Sequence, residues 1–457
     1  MTPTTASLSL YTRFVSGCLF PLHERMKGHD SVRRLRALEN SQWWSREQLQ
    51  VQRLGGLQGL LRQAAAQVPY YRELFQTRGF NAERVDTLDV LHTLPFLTKA
   101  LIREHRDRLI AAGSGRLVAM ATGGSSGEPL RFLGGGARIS HDVAAKWRAT
   151  RWWGVDIGDP EIVIWGSPIE LGTQDRLRVL RDRLLRSHLL SAFALDDRTL
   201  DRMLHTLRRQ RPAMLFGYPS VLARLCAHAQ RRNQRLDDLD IRVAFVTSEL
   251  LYAEQRELIA RVLGCPVANG YGGRDAGFLA HECPAGGMHI SAEDIIIETV
   301  DAEGRPTAPG VAGEIVVTHL ASTDFPFIRY RTGDVGVLDD TPCSCGRGLP
   351  LLRELQGRST DFVRASDGTA MHGLALIYIL REIPGLKTFK IIQEELQRTR
   401  VLLVTEPGFA PDALDIIRKG FQQRLGRDVR VDIELVADIP AERSGKFRYV
   451  VSRVAES

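Results

Sequence analysis

The spacing of hydrophobic positions changes near residue 115, and the change predicts two kinds of structure. Over residues 1–110 apolar positions recur at helical spacing, most clearly in LGGLQGLLRQAAAQVPYYRELF (54–75). Beyond residue 115 short apolar runs, punctuated by Gly, Ser or Pro, are separated by helical stretches: EIVIWG, AMLFGY, RVAFVTSE and CPVANGYGG. This alternation predicts an α/β sheet, whose ligands bind beyond the carboxyl ends of the strands.

The last third of the chain has a different pattern. Residues 290–340 are rich in strands, with DIIIETV and GEIVVTHL on either side of a Gly/Pro turn. After GRSTD (357–361) the pattern predicts a hairpin, a helix, two strands, a second helix, one more strand and a loop. We therefore expect a large domain over 1–356, a connection at 357–361 and a small α+β domain over 362–457.

Composition is that of an ordinary globular protein, with 44% hydrophobic and 25% charged residues. The net charge is +7, and scattered Arg residues supply most of it, a weak indication of nucleic-acid binding. No apolar run reaches about 18 residues, so we expect no transmembrane helix. The apolar segment SLSLYTRFVSGCLFPL contains Arg13 and does not resemble a signal peptide, so we expect a cytoplasmic protein. We expect this segment to pack on the protein body, with weak membrane-surface contact as the alternative.

Four motifs could carry chemistry. Alone, the first is equally typical of a flexible turn, the second and third are more typical of ordinary turns, and the fourth is typical of a solvated side chain. The stretch TGGSSGEPL offers backbone N–H groups and hydroxyls that could surround a phosphate, but it lacks the Lys-Ser/Thr of a P-loop. In NGYGGRDAGF, Tyr271 could face a base and Asp275 could bind Mg²⁺. In FPFIRYRTGDVG, Asp334 could accept hydrogen bonds from ribose, and in IPAERSGKFRYV Lys446 lies in a glycine-containing loop.

Taken in order, these motifs resemble those of the adenylate-forming enzymes, and in particular the phenylacetate–coenzyme A ligase family with its capsular-polysaccharide-associated relatives. The resemblance covers most of the chain. It includes SQWWSREQLQ, VPYYRELF, GYPSVL, YGGRD, FIRYRTGD, CSCGR, GRSTD and RSGKFR.

The resemblance implies a large N-terminal α/β domain of adenylate-forming type and a small C-terminal α+β domain that rotates on a hinge. It implies that a carboxylic acid and ATP give acyl-AMP and pyrophosphate, and that a thiol, usually of coenzyme A, then displaces AMP. ATP, Mg²⁺ and coenzyme A would be the cofactors, and a homodimer is compatible with it.

The resemblance also assigns roles to individual positions. The phosphate loop would be Thr122, Gly123, Gly124, Ser125, Ser126 and Gly127, with Ser248 and Glu249 bordering the adenine and Tyr271 near the base. Asp275 would serve Mg²⁺, Asp334 and Arg358 would hold the ribose, and Lys446 would bridge the carboxylate and the α-phosphate. We expect the acyl pocket at strand ends near Trp165, Ser167, Tyr218 and Gly272.

The chain departs from the family at several of these positions. Asp275 stands where Glu is usual, Glu128 where Lys is common, and Thr360 where the hinge usually has Asp or Lys. Three alternatives therefore stay open: an acyl-AMP ligase that transfers to an amine or sugar, a nucleotide-binding relative without turnover, and a zinc protein that binds nucleic acid.

Three of the six cysteines are predicted to form a metal site with one histidine. Cys283 and His289 flank a Pro-Ala-Gly-Gly turn, and Cys343 and Cys345 follow about sixty residues later. A Cys₃His set suits structural Zn²⁺, with His281 as the rival fourth ligand and free buried thiols as the alternative. We expect the remaining cysteines to be buried apolar residues: Cys18, Cys226 and Cys265.

Overall fold

A computed structural model describes residues 9–122, 130–165, 176–192, 195–358, 362–410, 412–440 and 447–454. The chain divides into two compact units. The first comprises Met1–Thr332 and Gly336–Leu355, and the second comprises Gly333–Val335 and Gln356–Ser457.

The first unit opens with helices, as the apolar spacing predicts for its first 110 residues. They span Leu10–Phe14, Phe20–Met26, Ser31–Ser41, Arg46–Gln67, Pro69–Arg78 and Lys99–Glu104. A π-helical turn, Val15–Leu19, joins the first two. The long amphipathic stretch forms two helices because Pro69 has no N–H for a preceding carbonyl and begins the second helix instead.

A large mixed sheet follows, with eleven strands among the described residues. They are β3 (Glu161–Trp165), β4 (Ser187–Ser191), β5 (Met214–Gly217), β6 (Val243–Thr247), β7 (Val267–Gly273), β8 (Gly277–Glu282), β9 (Met288–Ile290), β10 (Ile295–Val300), β11 (Ala312–His319), β12 (Tyr330–Asp339) and β13 (Leu351–Arg358). Their order is β10-β11-β12-β13-β9-β8-β7-β6-β5-β3-β4. A separate hairpin pairs β1 (Val118–Ala121) with β2 (Arg131–Gly134).

The predicted α/β part of the sheet is confirmed. Strands β4, β3, β5, β6 and β7 are parallel neighbours, and β7 pairs with β8 in the antiparallel direction. Helices lie between or beside these strands at Gly136–Arg151, Arg176–Leu184, Asp197–Gln210, Pro219–Arg231 and Ala253–Leu263. Every residue of β5 and β6 is buried because helices cover a parallel sheet on both faces.

Alternate residues of these strands enter two different cores. Leu215 and Ala244 pack with the helices Asp197–Gln210 and Pro219–Arg231, whereas Phe216 and Phe245 pack on the opposite face. The period of two along a strand produces this division.

The second unit has its own four-stranded sheet with two helices, Leu374–Arg381 and Ala413–Leu425. Its strands are β16 (Leu386–Glu395), β17 (Arg398–Thr405), β18 (Arg430–Leu435) and β19 (Val450–Ser452), in the order β18-β17-β16-β19. A hairpin of β14 (Phe362–Arg364) and β15 (Ala370–His372) precedes them. The predicted final loop is wrong at its end, because Val450–Ser452 adds to the sheet beside β16.

A buried ion pair ties the helix Gly136–Arg151 to the segment between β9 and β10, and the helix Ser31–Ser41 joins it through one hydrogen bond. Arg148 Nη1 donates to Glu293 Oε1 at 2.5 Å, and Arg148 Nη2 donates to Ser291 Oγ at 3.2 Å. The Ser41 hydroxyl donates to the same Glu293 oxygen at 2.7 Å. The side chains of Arg148 and Glu293 are 1% and 5% exposed, so each charge depends on the other for solvation.

We expect Arg148→Met to lower the free energy of unfolding by about 3–5 kcal/mol, because it leaves Glu293 buried without its cation. Arg305→Met is the matched control, since Arg305 pairs with Asp301 on the surface with 71% of its side chain exposed. The control should cost about 1 kcal/mol or less. Urea denaturation of both variants measures the difference, and equal losses would contradict the role assigned to the buried pair.

Candidate functional site

Most of the described residues assigned to nucleotide and acyl binding lie at one edge of the large sheet. Strands β3, β5, β6 and β7 run parallel and end there. The residues at or directly after these strand ends are Trp165, Tyr218, Ser248, Glu249, Tyr271 and Gly272. The carboxyl edge of parallel strands is where open α/β sheets bind ligands.

Aromatic rings form one part of this edge. The ring centroids of Trp165 and Tyr218 are 4.5 Å apart, and the Trp165 ring stacks on Phe216 at 6.1 Å. Tyr218 is buried, whereas Trp165 is half-buried. The indole Nε1 of Trp165 is buried and has no hydrogen-bond partner among the residues that the structure describes. The half-buried Trp165 ring therefore offers an apolar face at this edge, backed by the buried Tyr218 ring.

Two residues in the turn after β6 have distinctive geometry: Ser248 in its backbone and Glu249 in its side chain. Ser248 has a φ of 72°, in the left-handed region that is costly for residues other than glycine. Glu249 Oε2 accepts a hydrogen bond from the Ser220 N–H at 3.2 Å, at the start of the helix Pro219–Arg231. A carboxylate is favoured at a helix N-terminus because the unpaired N–H groups there carry partial positive charge.

Glycine is required where two of these strands end. A Cβ on Gly272 would lie 2.4 Å from the carbonyl oxygen of Gly277 across the β7–β8 hairpin. A Cβ on Gly217 would lie 2.7 Å from the carbonyl oxygen of Ile164. The close backbone approach at this edge therefore depends on glycine at both positions.

Asp275 lies in the turn between β7 and β8 and is held by a phenol. The Tyr330 hydroxyl donates to Asp275 Oδ2 at 2.6 Å. Asp275 Oδ1 accepts a hydrogen bond from the Ala276 N–H at 3.2 Å. The carboxylate thus has a fixed orientation, and its remaining lone pairs could bind a cation.

The buried guanidinium of Arg138 holds the backbone of the same turn. Arg138 Nη2 donates to the carbonyl oxygens of Arg274 and Asp275, each at 2.7 Å. Its guanidinium carbon lies 5.3 Å from the Phe132 ring centroid and 4.8 Å from that of Phe327. Burial lowers the pKa of Arg138, but a guanidinium keeps its proton in proteins. The sequence analysis missed both Arg138 and Tyr330; Tyr330 stands inside the motif FPFIRYRTGDVG, which could have signalled it.

Other predicted residues lie elsewhere or outside the described part of the chain. Thr122 closes the β1–β2 hairpin, because its N–H donates to the Leu130 carbonyl and its hydroxyl accepts from the Leu130 N–H, both at 3.0 Å. Asp334 lies in β12 within the segment that belongs to the second unit, and Arg358 is the last residue of β13. The residues outside the description are Gly123, Gly124, Ser125, Ser126, Gly127, Ser167 and Lys446.

A second cluster brings together the residues proposed as metal ligands. The ligand atoms of Cys283, His289, Cys343 and Cys345 all lie within 4.8 Å of one another. Cys283 Sγ and Cys343 Sγ are 3.7 Å apart, and His289 Nε2 lies 3.1 Å from Cys345 Sγ. His281 is outside this cluster, and its ring stacks on Phe278 at 5.2 Å.

The geometry of this cluster fits tetrahedral zinc. Zinc–sulfur bonds of about 2.3 Å place two tetrahedral sulfur ligands about 3.8 Å apart, close to the observed separation of Cys283 and Cys343. His289 Nδ1 lies 3.2 Å from the Leu349 carbonyl oxygen, a contact that leaves Nε2 to bind a metal. Burial lowers the pKa of His289 to about 4, so its imidazole is neutral near pH 7.

The loop that carries Cys343 and Cys345 is anchored to the N-terminal helices. The Arg347 guanidinium lies 4.9 Å from the Trp43 ring centroid and 4.5 Å from that of Trp152. Arg347 Nε donates to Gln42 Oε1 at 3.0 Å, and the Gly348 N–H donates to the Gln42 carbonyl at the same distance. The cysteine cluster therefore joins segments that are far apart along the chain.

The prediction for the three remaining cysteines is correct for two of them. Cys226 and Cys265 are buried, and burial raises the pKa of each thiol to about 12. The prediction for Cys18 is wrong: it is exposed, on the outer side of the π-helical turn Val15–Leu19.

Comparison with known proteins identifies relatives over most of the chain. The CapK C-terminal domain family matches residues 363–453. Protein CapK of Staphylococcus aureus is 24% identical over 391 residues, which cover 84% of this chain and 85% of that protein. The phenylacetate-coenzyme A ligase of Thermus thermophilus is 23% identical, over 70% of this chain and 72% of the ligase.

Solved structures share the fold. A crystal structure of 2-hydroxyisobutyryl-CoA ligase in the postadenylation state, in complex with 2-HIB-AMP, matches with a TM-score of 0.72 at 21% identity. The match covers 89% of this chain and 90% of that one. None of the described helices is long and apolar enough to cross a membrane. The chain is homologous to CapK and to phenylacetate-coenzyme A ligases, it has the fold of adenylate-forming CoA ligases, and it carries a CapK C-terminal domain.

Proposed function

We propose that this protein is an ATP-dependent, AMP-forming carboxylate ligase that makes an acyl-AMP and transfers the acyl group to coenzyme A. The observation that carries the proposal is the position of Trp165, Tyr218, Glu249 and Tyr271 at the ends of four adjacent parallel strands. The relatives named phenylacetate-coenzyme A ligase support an acid as the substrate.

In the first half-reaction an oxygen of the carboxylate would attack the α-phosphate, and the bond to pyrophosphate would break. Negative charge repels the two reactants, so cations must gather around the phosphates. Asp275 would hold Mg²⁺, which neutralises phosphate charge when bound. Tyr330 and Arg138 would keep the Asp275 carboxylate and the backbone of its turn in place. Lys446 would stabilise the charge that builds between the acid and the α-phosphate.

The apolar face of Trp165, backed by the Tyr218 ring, suits an aryl or other apolar part of the acid. An acceptor other than coenzyme A is the second candidate function. The resemblance to capsular-polysaccharide-associated relatives suggests an amine or a sugar as that acceptor, and the match to Protein CapK covers 84% of the chain.

We also propose that Cys283, His289, Cys343 and Cys345 bind one structural Zn²⁺. Their donor set and the 3.7 Å separation between the Cys283 and Cys343 sulfur atoms support it. The cysteine cluster has four protein ligands and therefore no free position for a substrate. Its role would be to secure the Cys343–Gly348 loop against the turn between Cys283 and His289.

The metal proposal predicts a loss of stability when one ligand is removed. Cys345→Ser should lower the melting temperature and abolish thiolate-bound zinc, because binding is coupled to folding. Cys226→Ser, at a buried cysteine outside the cluster, is the control and should keep the metal. Thermal denaturation and metal analysis of both variants test this. A Cys345→Ser protein that keeps the metal of the cysteine cluster would contradict it.

The ligase proposal predicts that adenylation and transfer respond differently to changes at Lys446. Lys446→Ala should slow acyl-AMP formation by about 10²–10³-fold, the usual effect of removing one such charged donor. Transfer from a supplied acyl-AMP to coenzyme A should be nearly unchanged, because Lys446 would act only in the first step. Asp275→Asn should also slow acyl-AMP formation, because the variant lacks the carboxylate that would hold Mg²⁺.

Exchange of labelled pyrophosphate into ATP, with a panel of aryl and aliphatic acids, measures the first half-reaction. Product analysis with coenzyme A, amines and sugars identifies the acceptor. Cleavage of ATP to ADP would contradict the ligase, and binding of ATP without exchange for any acid would leave the nucleotide-binding relative. Salt-sensitive DNA binding without an ATP requirement would instead favour the nucleic-acid alternative.

A further inference from the structure

Three side chains that the ligase proposal does not use meet in the interior of the first unit. His141 and Asp142 lie on the helix Gly136–Arg151, and His319 ends β11. Their ligand atoms all lie within 4.8 Å of one another. Both histidine side chains are 0% exposed, and their rings are 5.0 Å apart at an angle of 80°.

The nitrogens of these histidines lack partners. His141 Nε2 and both ring nitrogens of His319 are buried and make no hydrogen bond within the described part of the chain. His319 Nε2 lies 3.9 Å from Asp142 Oδ1, which is too long for a hydrogen bond. A buried polar atom without a partner costs about 1–3 kcal/mol, so a native structure usually supplies a water or an ion.

The surroundings of the cluster resemble the support that proteins give to metal ligands. His141 Nδ1 lies 2.9 Å from Asp294 Oδ2, and Asp294 also pairs with Arg34. A carboxylate on one ring nitrogen fixes the tautomer and leaves the other nitrogen to bind a metal. Asp142 Oδ1 accepts a hydrogen bond from the Phe278 N–H at 3.1 Å, which orients that carboxylate.

The space between these side chains also suits a cation. Gly277, with a φ of 94°, leaves room, since a Cβ there would lie 2.9 Å from both Asp142 Oδ1 and His319 Nε2.

We propose that His141, Asp142 and His319 form a second metal site, distinct from the cysteine cluster, for a divalent first-row transition ion such as Zn²⁺. Two imidazoles and one carboxylate are a donor set that such ions accept, with at least one position left for water. The ion would join the helix Gly136–Arg151 to β11 next to the Phe278 backbone, on the helix that also supplies Arg138.

Metal counting on the full-length protein tests this. Chelator-treated protein should bind two equivalents of Zn²⁺ per chain, and the double variant Cys343→Ser/Cys345→Ser should keep one. His319→Gln should also keep one, whereas the control His228→Gln should keep both, because His228 is buried elsewhere and pairs with Asp201. With Co²⁺, the His319→Gln protein should show an intense thiolate charge-transfer band, and the double cysteine variant should show only weak visible bands.

A single equivalent that disappears in the double cysteine variant and persists in His319→Gln would overturn the proposal. A single equivalent of Zn²⁺ that persists in the double cysteine variant and disappears in His319→Gln would overturn the cysteine site alone. Circular dichroism shows which variants are folded, and a wild-type count of two equivalents would support both sites without any variant.

An independent observation concerns the outer face of the first helices. Five apolar side chains at intervals of four residues are exposed there: Leu10, Phe14, Cys18, Leu22 and Met26. Steps of four drift around an α-helix by about 40°, and the wider π-helical turn Val15–Leu19 reverses part of this drift. The five side chains, named here the outer stripe, therefore stay on one side.

The charges beside the outer stripe have one sign. Arg13, Arg25 and Lys27 are exposed, whereas Glu24, the one acidic residue within 9–28, is buried. The opposite face is fixed to the protein body through the buried side chains of Val15 and Phe20. A docked helix with an apolar stripe and basic neighbours has the chemistry of an interfacial membrane helix.

We infer that the outer stripe binds the surface of a membrane with anionic lipids. Sedimentation with vesicles of phosphatidylcholine and phosphatidylglycerol should carry the protein down, and vesicles of phosphatidylcholine alone should bind it more weakly. Phe14→Ser/Leu22→Ser should weaken binding by about tenfold or more, since two apolar side chains no longer enter the bilayer. Ile416→Ser is the control, because Ile416 and Phe14 are both 56% exposed.

Equal vesicle binding by the wild type and the Phe14→Ser/Leu22→Ser variant would overturn this inference. So would a dimer, seen by light scattering, that this variant dissociates, because the outer stripe would then bind a second copy of the chain.

Discussion

The hydrogen bonds from Arg138 to the carbonyl oxygens of Arg274 and Asp275 hold the candidate site in one shape. The turn between β7 and β8 has to present a carboxylate beside the strand ends, and a turn alone is free to move. A guanidinium in a fixed fork can bind two carbonyls at once. The Phe132 and Phe327 rings exclude water around it, so these hydrogen bonds face little competition.

The helix that carries Arg138 is unusual because its buried side is polar. Arg138, His141 and Arg148 are at most 1% exposed, and each reaches a different part of the unit. Arg138 supports the β7–β8 turn, His141 faces His319 at the end of β11, and Arg148 pairs with Glu293. A polar interior of this kind fixes the relative positions of its neighbours more strictly than apolar contacts do, since each group has a few acceptable partners.

The sequence predicts the strands of the large sheet well because local information determines them. Short apolar runs that end in Gly or Ser mark β3, β5, β6 and β7, and the parallel arrangement places their ends together. The sequence also indicates Asp275, since it follows a glycine turn after such a strand.

The residues that support the candidate site from other parts of the chain could not be predicted from such local patterns, because their partners are distant in sequence. Arg138 and His141 occupy positions in a helix whose sequence does not distinguish a buried polar side chain from a solvated one. His319 meets Asp142 across 177 residues, and no spacing rule links them. Cys18 was misplaced for a related reason: an isolated cysteine in an apolar segment does not show which side of the helix faces solvent.

The contact between Gln42 and Arg347 affects how the protein is made. The two residues are 305 positions apart, so at about 5–20 residues per second the ribosome needs roughly 15–60 s to supply the partner of the early helices. During that interval Gln42 and its neighbours have emerged, while the loop that contacts them has not been synthesised. Transient protection by a chaperone during translation would therefore matter more for this segment than for the C-terminal unit, whose partners follow one another closely.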